Sequence, residues 1–538
     1  MTMGTGGAPI LRNRYFLYAT EFFAGMAVMA VELGASRLMA PYFSSSQIVW
    51  TMIIGTIMIA MALGNVWGGK LADKDPDPAK LYRRLIIAAV WIALIPLVGK
   101  YIIMAIAGML IVAIDIHLLI WASFLTCLVL FVFPLFLLGT VTPSLVKYAV
   151  NSLDSTGSIV GMLGACNTIG SIIGTFLPTF VTIPAVGTAV TFIIFSGVLL
   201  VIGLIYFISS GGNKGPLALG VLVFLIASVF GSSSHFAFWQ EGLTYEGESM
   251  YNYLQVRDTP RSTILSTNVL FGVQSIRMKG EELTGMYYDY ALAGPVLAGI
   301  SEKENPKILI LGMGTGTFAS QCRKYFPNAA IEGVEIDEAI TGLSHKYFDL
   351  PSDIPVTTYD GRAFLAGTGE KYDVILVDAY QDITIPFQMS SREFFGLVRD
   401  HLNPSGVMVV NMNLKTNGEG EINEYLLNSM GTAFSHVYTA DVPNQTNREV
   451  YAWNDSSLAD SFEKNRLSLK DHDLRTLMGE VRLAAAPHTQ GDHIFTDDKA
   501  PVEFMGMQAL DAMMREEIGP YKEAYRIGGV RGLLDAVL

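Results

Sequence analysis

The chain has 538 residues, 51% hydrophobic and only 16% charged, which excludes a wholly soluble globule and a single domain. Charge is uneven along it: residues 1–235 carry 11 Lys and Arg against 7 Asp and Glu, leaving 25 against 42 for residues 236–538. So acidic a C-terminal part excludes nucleic acid, whose phosphates need a basic surface; it suits cationic substrates such as amines, although net charge for solubility accounts for the same excess.

Apolar runs of about 20 residues, enough to span a bilayer, fall at roughly 16–40, 48–70, 85–114, 118–141, 158–181, 187–208 and 216–235. Residues 1–235 are therefore expected to form a multi-pass α-helical membrane domain of about seven helices. The first run is too long and has no small-residue cleavage site, so it reads as a spanning helix and not a cleaved signal. Glu21 and Glu32 lie eleven residues apart in it, close to three helical turns, and share a face. Such groups turn towards a bundle interior, either as a polar pocket for a head group or ion, or as packing pairs such as Glu32 with Arg37. Gly161, Ala165, Gly170 and Gly174 have the small-residue spacing of close helix packing.

From about residue 245 the pattern shifts to short alternating segments, "YNYLQVRD" and "GVQSIRM", which predict a small β unit over 236–295. Residues 296–538 alternate strands ("KILIL", "AAIEGVEI", "PVTTYD", "YDVILVD", "GVMVVNM") with helical stretches. This predicts a Rossmann-like, class I methyltransferase-like α/β domain that binds ligands at the carboxyl ends of its strands.

The first of these strands runs into Gly312, Gly314, Thr315 and Gly316. Such a GxGxG turn lets backbone amides approach a ligand, and its tightness favours an adenosyl sulfonium over a dinucleotide. Glu335 closes the next strand, where an acid can accept both ribose hydroxyls or stand as a plain surface acid. Asp360 and Gly361 follow the third, placed for the adenine amine and ring. Asp378 ends the fourth, where the reactive end of the ligand would lie. A carboxylate there can orient an amine and take its proton, or only hold the cofactor. The three cysteines, Cys127, Cys166 and Cys322, show no CxxC spacing, and no metal site is expected.

Together "ILILGMGTGT", "VEIDEAI", "YDGRAFL" and "YDVILVDAY", preceded by "ESMYNYLQV", "FGVQSI" and "MYYDYAL", resemble the spermidine synthase (polyamine aminopropyltransferase) family over about 245–430. "VELGASRLMAPYF", "ALGNVWGGKLADK" and "TDDKAPVEF" resemble its bacterial branch fused to a membrane domain. The resemblance implies transfer of an aminopropyl group from decarboxylated S-adenosylmethionine to an amine, releasing methylthioadenosine. By it, Glu335 would hold the ribose, Asp360 the adenine and Asp378 the attacking amine. Gln274 matches a family glutamine, Tyr288 and Asp289 stand at a family His-Glu pair, and Asn252 stands at a frequent glutamine. Tyr380 falls on the acceptor side of Asp378. Two departures stand out: Thr315 replaces a loop aspartate that would pair with the cofactor's ammonium, a contact of about 1.5–3 kcal/mol, and no acid follows Asp378 at the family spacing, Asp382 being one residue late.

Intact S-adenosylmethionine and an acceptor delivered from the membrane thereby gain ground. The leading expectation is a membrane-bound aminopropyltransferase in the cell (inner) membrane. It would use either form of the co-substrate and an amine acceptor, with the lipid bilayer as partner, and a homodimer is compatible with the sequence. The alternatives are a methyltransferase or lyase acting on S-adenosylmethionine, and a polyamine transporter with a ligand-sensing domain. Basic residues alternate by loop (Arg12 and Arg14; Lys70, Lys74, Lys80, Arg83 and Arg84; Lys147; Lys214) and mark cytoplasmic loops. Followed through seven spans, the rule puts the acidic part outside. The supply of a cytosolic cofactor argues for a cytoplasmic domain, which is the expectation taken here.

Overall fold

The computed structural model describes residues 9–43, 45–114, 117–149, 156–210, 215–232, 235–237, 240, 242–269, 273–379 and 385–537. The N-terminal part is a bundle of α1 (Arg14–Phe43), α2 (Gln47–Lys74), α3 (Pro78–Ala113), α4 (Leu118–Leu130), α5 (Val132–Gly139), α6 (Val141–Ala149), α7 (Thr156–Leu177), α8 (Ile183–Ser210) and α9 (Gly215–Ser232). Among the described residues five stretches are long and apolar enough to cross a membrane: Arg14–Phe43, Gln47–Lys74, Pro78–Ile111, Val132–Ala149 and Thr156–Ser210. Leu118–Leu130 and Leu217–Ser232 are apolar but shorter. The expected run 118–141 is divided because the helix breaks at Phe131 and again at Thr140. Pro134 and Pro143 fall in the first turns of the helices that restart, where a missing N–H is tolerated. The expected runs 158–181 and 187–208 share the stretch Thr156–Ser210, interrupted at Gly187 (φ 79°).

Glycine lets these helices touch. Gly170 and Gly174 of α7 lie against the carbonyls of Phe22 and Met26 on α1, where a Cβ would collide. A Gly174→Leu change is expected to push α1 from α7 at a cost of about 1–3 kcal/mol or more and to lower the melting temperature in detergent. Gly161→Leu, at a position with nothing within 4 Å, is expected to leave it unchanged. Met58, Ile59 and Leu63 of α2, Ile172 and Phe176 of α7, and Val229 of α9 are each more than half exposed, an outward apolar surface of the kind lipid solvates.

The bundle has two chemically different ends. At one, the hydroxyls of Thr20 and Tyr82 meet at 3.2 Å, Tyr206 stacks on Tyr82, and Lys147 pairs with Asp73 at 2.8 Å. Lys70, Lys74, Lys80, Arg83 and Arg84 belong to this end, on or beside the turn between α2 and α3. At the other, Tyr42 donates to Phe236 O (3.0 Å), Gln47 N to Glu503 (2.8 Å), and His117 pairs with Asp511 (2.8 Å). The second end carries the rest of the chain. Tyr253, Val269, Leu414, Met507, Leu510 and Met514 join the bundle's own apolar core there.

That remainder begins with an antiparallel sheet, β1 (Leu243–Glu248), β2 (Tyr253–Asp258), β3 (Ser262–Ser266) and β4 (Ser275–Met278). A second sheet contains β5 (Lys307–Leu311), β6 (Ala330–Glu335), β7 (Val356–Thr358), β8 (Tyr372–Val377), β9 (Leu402–Met412), β10 (His436–Asp441), β11 (Arg448–Trp453) and β12 (Ala486–Pro487), ordered β12-β10-β11-β9-β8-β5-β6-β7. Strands β7, β6, β5, β8 and β9 are parallel, and β11 runs antiparallel to β9. Side chains alternate with period 2: Ile308, Ile310, Val374 and Leu376 fill one face, Leu309, Leu311, Ile375 and Val377 the other. This is the expected Rossmann-like, methyltransferase-type architecture. Its strand order reverses between β5 and β8, where α/β sheets open a ligand crevice at the carboxyl ends.

Candidate active site

A cavity of about 140 Å³ lies at that reversal. Gly312, Gly314, Glu335, Asp360, Gly361 and Asp378 line it from the large sheet; Tyr251, Asn252, Gln274, Ser275 and Tyr288 line it from the small β unit and the helix after it. Gly312 (φ 87°) follows β5 and presses on Asp378 O and the Ala379 backbone, so a Cβ has no room. Asp378 N in turn donates to Leu311 O at 2.9 Å, which ties the end of β8 to the loop.

Glu335 ends β6 almost wholly buried. Its Oε2 accepts from Gly314 N (2.9 Å) and its Oε1 from Asp337 N (3.0 Å). Burial raises its carboxyl to about 7, although those amides pull the other way. Asp360 caps the next helix (Gly361–Gly367), with Oδ1 accepting from Ala363 N at 2.8 Å; this fixes the carboxyl at the cavity edge.

Asp378 is held from both sides. Tyr287 donates its hydroxyl to Oδ2 at 2.8 Å, and Asn411, near the end of β9, donates Nδ2 to Oδ1 at 2.9 Å. Burial again raises the carboxyl to about 7, with both donors opposing the shift. Asn411 Oδ1 is itself held by Asn447 Nδ2 (2.9 Å). Across from Asn411 on β11, Glu449 is fully buried and neither of its oxygens has a hydrogen-bond partner; burial first, then the nearby Asp378 charge, drives its carboxyl well up.

The expected residues divide accordingly. Gly312, Gly314, Glu335, Asp360, Gly361, Gln274, Tyr288, Asn252 and Asp378 share one cavity. Thr315 corrects an expectation: it is 2% exposed, its N–H donates to Ser275 Oγ (3.2 Å), and its hydroxyl is buried without a partner outside the cavity lining. Gly316 shapes the turn (φ 82°) with its N–H on Met313 O. Asp289 is also withdrawn from the cavity, because Thr284 N, Gly285 N and Gln321 Nε2 at 2.9, 2.7 and 2.7 Å occupy its carboxylate. Tyr380 and Asp382 lie outside the described residues. Sequence reasoning missed Tyr287, Ser275 and Asn411. The signal for Asn411 was a polar residue closing the apolar run "GVMVV" at the same sheet edge as Asp378.

The chain is similar to known proteins. The spermine/spermidine synthase domain family matches residues 288–454. A probable polyamine aminopropyl transferase of Bifidobacterium longum (strain NCC 2705) is 51% identical over 351 residues, 62% of this chain and 78% of that protein. The polyamine aminopropyltransferase of Vibrio vulnificus (strain CMCP6) is 28% identical over 242 residues, 44% of this chain and 79% of that protein. Among solved structures, a probable spermidine synthase from Corynebacterium glutamicum ATCC 13032 is similar at TM-score 0.36 and 18% identity, over 46% of this chain and 97% of that one. With half of all positions identical across most of the Bifidobacterium protein, the chain belongs to the polyamine aminopropyltransferase (spermidine synthase) family.

Proposed function

We propose that this protein is a membrane-bound aminopropyltransferase that moves the aminopropyl group of decarboxylated S-adenosylmethionine to an amine and releases methylthioadenosine. The observation that carries the reading is the Asp378 carboxyl, gripped by Tyr287 and Asn411 and facing the same cavity as Glu335 and Asp360. The fit to an adenosyl sulfonium rests on the glycine turn, where Gly312 and Gly314 line the cavity without a side chain, and on Glu335, whose two oxygens meet only backbone donors and can turn to ribose hydroxyls. Three carboxyl groups line the cavity and no Lys or Arg does so among the described residues. Such a wall opposes the carboxylate of intact S-adenosylmethionine and favours the decarboxylated form.

In this reading Asp378 orients the acceptor and takes its proton. The amine nitrogen bonds to the methylene carbon beside the sulfonium, the carbon–sulfur bond breaks, and its electron pair stays on sulfur. Protonated Asp378 cannot act as base, so kcat/KM is expected to rise with pH through about 7. Tyr287→Phe removes a donor that favours the ionised carboxyl. The acid limb of its profile is therefore expected to move to higher pH, with the largest loss of rate below pH 7; an unmoved limb would separate Tyr287 from the titrating group.

Mass spectrometry of purified protein with each co-substrate and a panel of amines tests the reaction. Methylthioadenosine with an elongated amine supports the proposal. S-adenosylhomocysteine would indicate methyl transfer, methylthioadenosine without an acceptor an elimination, and tight binding without turnover a sensing domain.

The same proposal extends to placement in the membrane. The catalytic part docks on the bundle end opposite Lys70, Lys74, Lys80, Arg83, Arg84 and Lys147. This segregation supports an extracytoplasmic catalytic part by the positive-inside rule, against the cytoplasmic placement expected from cofactor supply. Protease treatment of intact cells is expected to remove the C-terminal part; protection until lysis would restore the cytoplasmic placement.

A further inference from the structure

The turn joining β1 to β2 is held from two directions. Its Tyr251 and Asn252 line the cavity, while its other groups are gripped by the helical bundle. Arg37, near the end of α1, donates Nη1 to Ser249 O at 3.4 Å and Nη2 to Met250 O. Glu248 accepts from Thr188 N at 2.7 Å and from the Thr188 hydroxyl at 2.6 Å. Thr188 is fully buried and directly follows Gly187, the interruption in α8. A Cβ on Gly187 would stand 3.2 Å from Glu248 Oε2.

The same turn reaches inward. Ser249 Oγ and Asn252 Nδ2 both donate to Asp337 Oδ2, at 2.5 and 2.9 Å, and Asp337 N donates to Glu335 Oε1. The Arg37 guanidinium is also within electrostatic reach of the Glu248 and Asp337 carboxylates. An unbroken run of polar contacts thus leads from α1 and α8 to the acid expected to hold the ribose. Simple docking of the two parts does not require it, because the His117–Asp511 and Gln47–Glu503 contacts join them elsewhere.

We infer that the helical bundle forms part of the co-substrate site: Arg37 and Thr188, acting through Glu248 and the β1–β2 turn, are positioning residues that set affinity for the adenosyl ligand. The inference rests on the adenosyl reading of the cavity. A turn held at one wall of a binding site fixes the ligand's geometry before it arrives, and contacts to a carboxylate are the stronger hydrogen bonds.

The test measures methylthioadenosine binding by calorimetry, and KM and kcat with decarboxylated S-adenosylmethionine, on the full chain in detergent. Glu248→Gln is expected to weaken binding about tenfold, the scale of one charge-assisted contact. Thr188→Val and Gly187→Ala should weaken it less, and Thr188→Ser, which keeps the hydroxyl, should restore it. KM should rise in parallel while kcat stays within about twofold, a split that general loss of structure does not give. Asp511→Asn, which removes the carboxylate charge from a contact between the same two parts away from the turn, should bind like the parent. Parent-like binding in Glu248→Gln and Thr188→Val, or equal weakening in Asp511→Asn, would overturn the inference and leave the cavity's assignment intact. A parent protein that binds neither methylthioadenosine nor the decarboxylated co-substrate would overturn the adenosyl reading, and the inference with it.

Discussion

Replacing Asp378 with Asn is expected to lower turnover by at least about 100-fold, the usual scale for a positioned acid or base, while affinity for decarboxylated S-adenosylmethionine changes little. The substitution keeps the volume and an acceptor oxygen, so Tyr287 and Asn411 retain a polar partner. What disappears is the group proposed to take the proton. The pH dependence should disappear with it: the acid limb expected near pH 7 is a property of this carboxyl. Stability should change in the opposite sense to activity. A carboxyl raised from about 4 to about 7 binds its proton more tightly in the folded chain, so its contribution to stability is present at low pH and is lost as pH rises through about 7. Asp378→Asn should therefore melt higher than the parent above pH 7 and about equally near pH 4. Unchanged turnover would remove Asp378 from the chemistry.

Glu335→Ala is expected to act on binding first, weakening methylthioadenosine by about 100-fold if two hydroxyl contacts of about 1.5 kcal/mol each are lost. The parent itself carries a related signature. Ribose hydroxyls favour the ionised carboxylate, and the free carboxyl titrates near 7. Binding at pH 7 should thus release protons, and affinity should fall as pH drops below 7. Calorimetry in buffers of different ionisation enthalpy measures that release directly. Glu335→Ala with parent-like affinity would mean that the ribose lies elsewhere.

Much of the site was legible because strand ends announce themselves. An apolar run followed by Gly312-Met313-Gly314, or closed by Glu335 or Asp378, can be placed at one sheet edge by period and polarity alone. What could not be read was direction. Thr315 sits in the middle of the glycine loop, yet the loop's left-handed residues on both sides turn its hydroxyl into the protein and leave only its amide at work. Asp289 follows the cavity-lining Tyr288, but four donors, from Thr284, Gly285 and Gln321, reach it first. Tyr287 and Asn411 depend on a helix and a strand more than 100 residues apart meeting over Asp378, and no local pattern encodes that. The helical part was read by its apolar length, which detects continuity and misses the breaks at Phe131, Thr140 and Gly187.

The boundary near residue 235, so evident in composition, is not a seam in the packing. Tyr253, Val269, Leu414 and the methionines and leucine of the last helix are buried against the bundle, and Phe236 bridges the rings of Tyr42 and Tyr253. The catalytic part is thus a lodger whose inner walls belong to the house. Expressed from residue 236 onwards, it would present a greasy, self-adhesive underside to water. Inheritance of the two halves should follow the same logic, with each free to vary in sequence only where its counterpart accommodates the change.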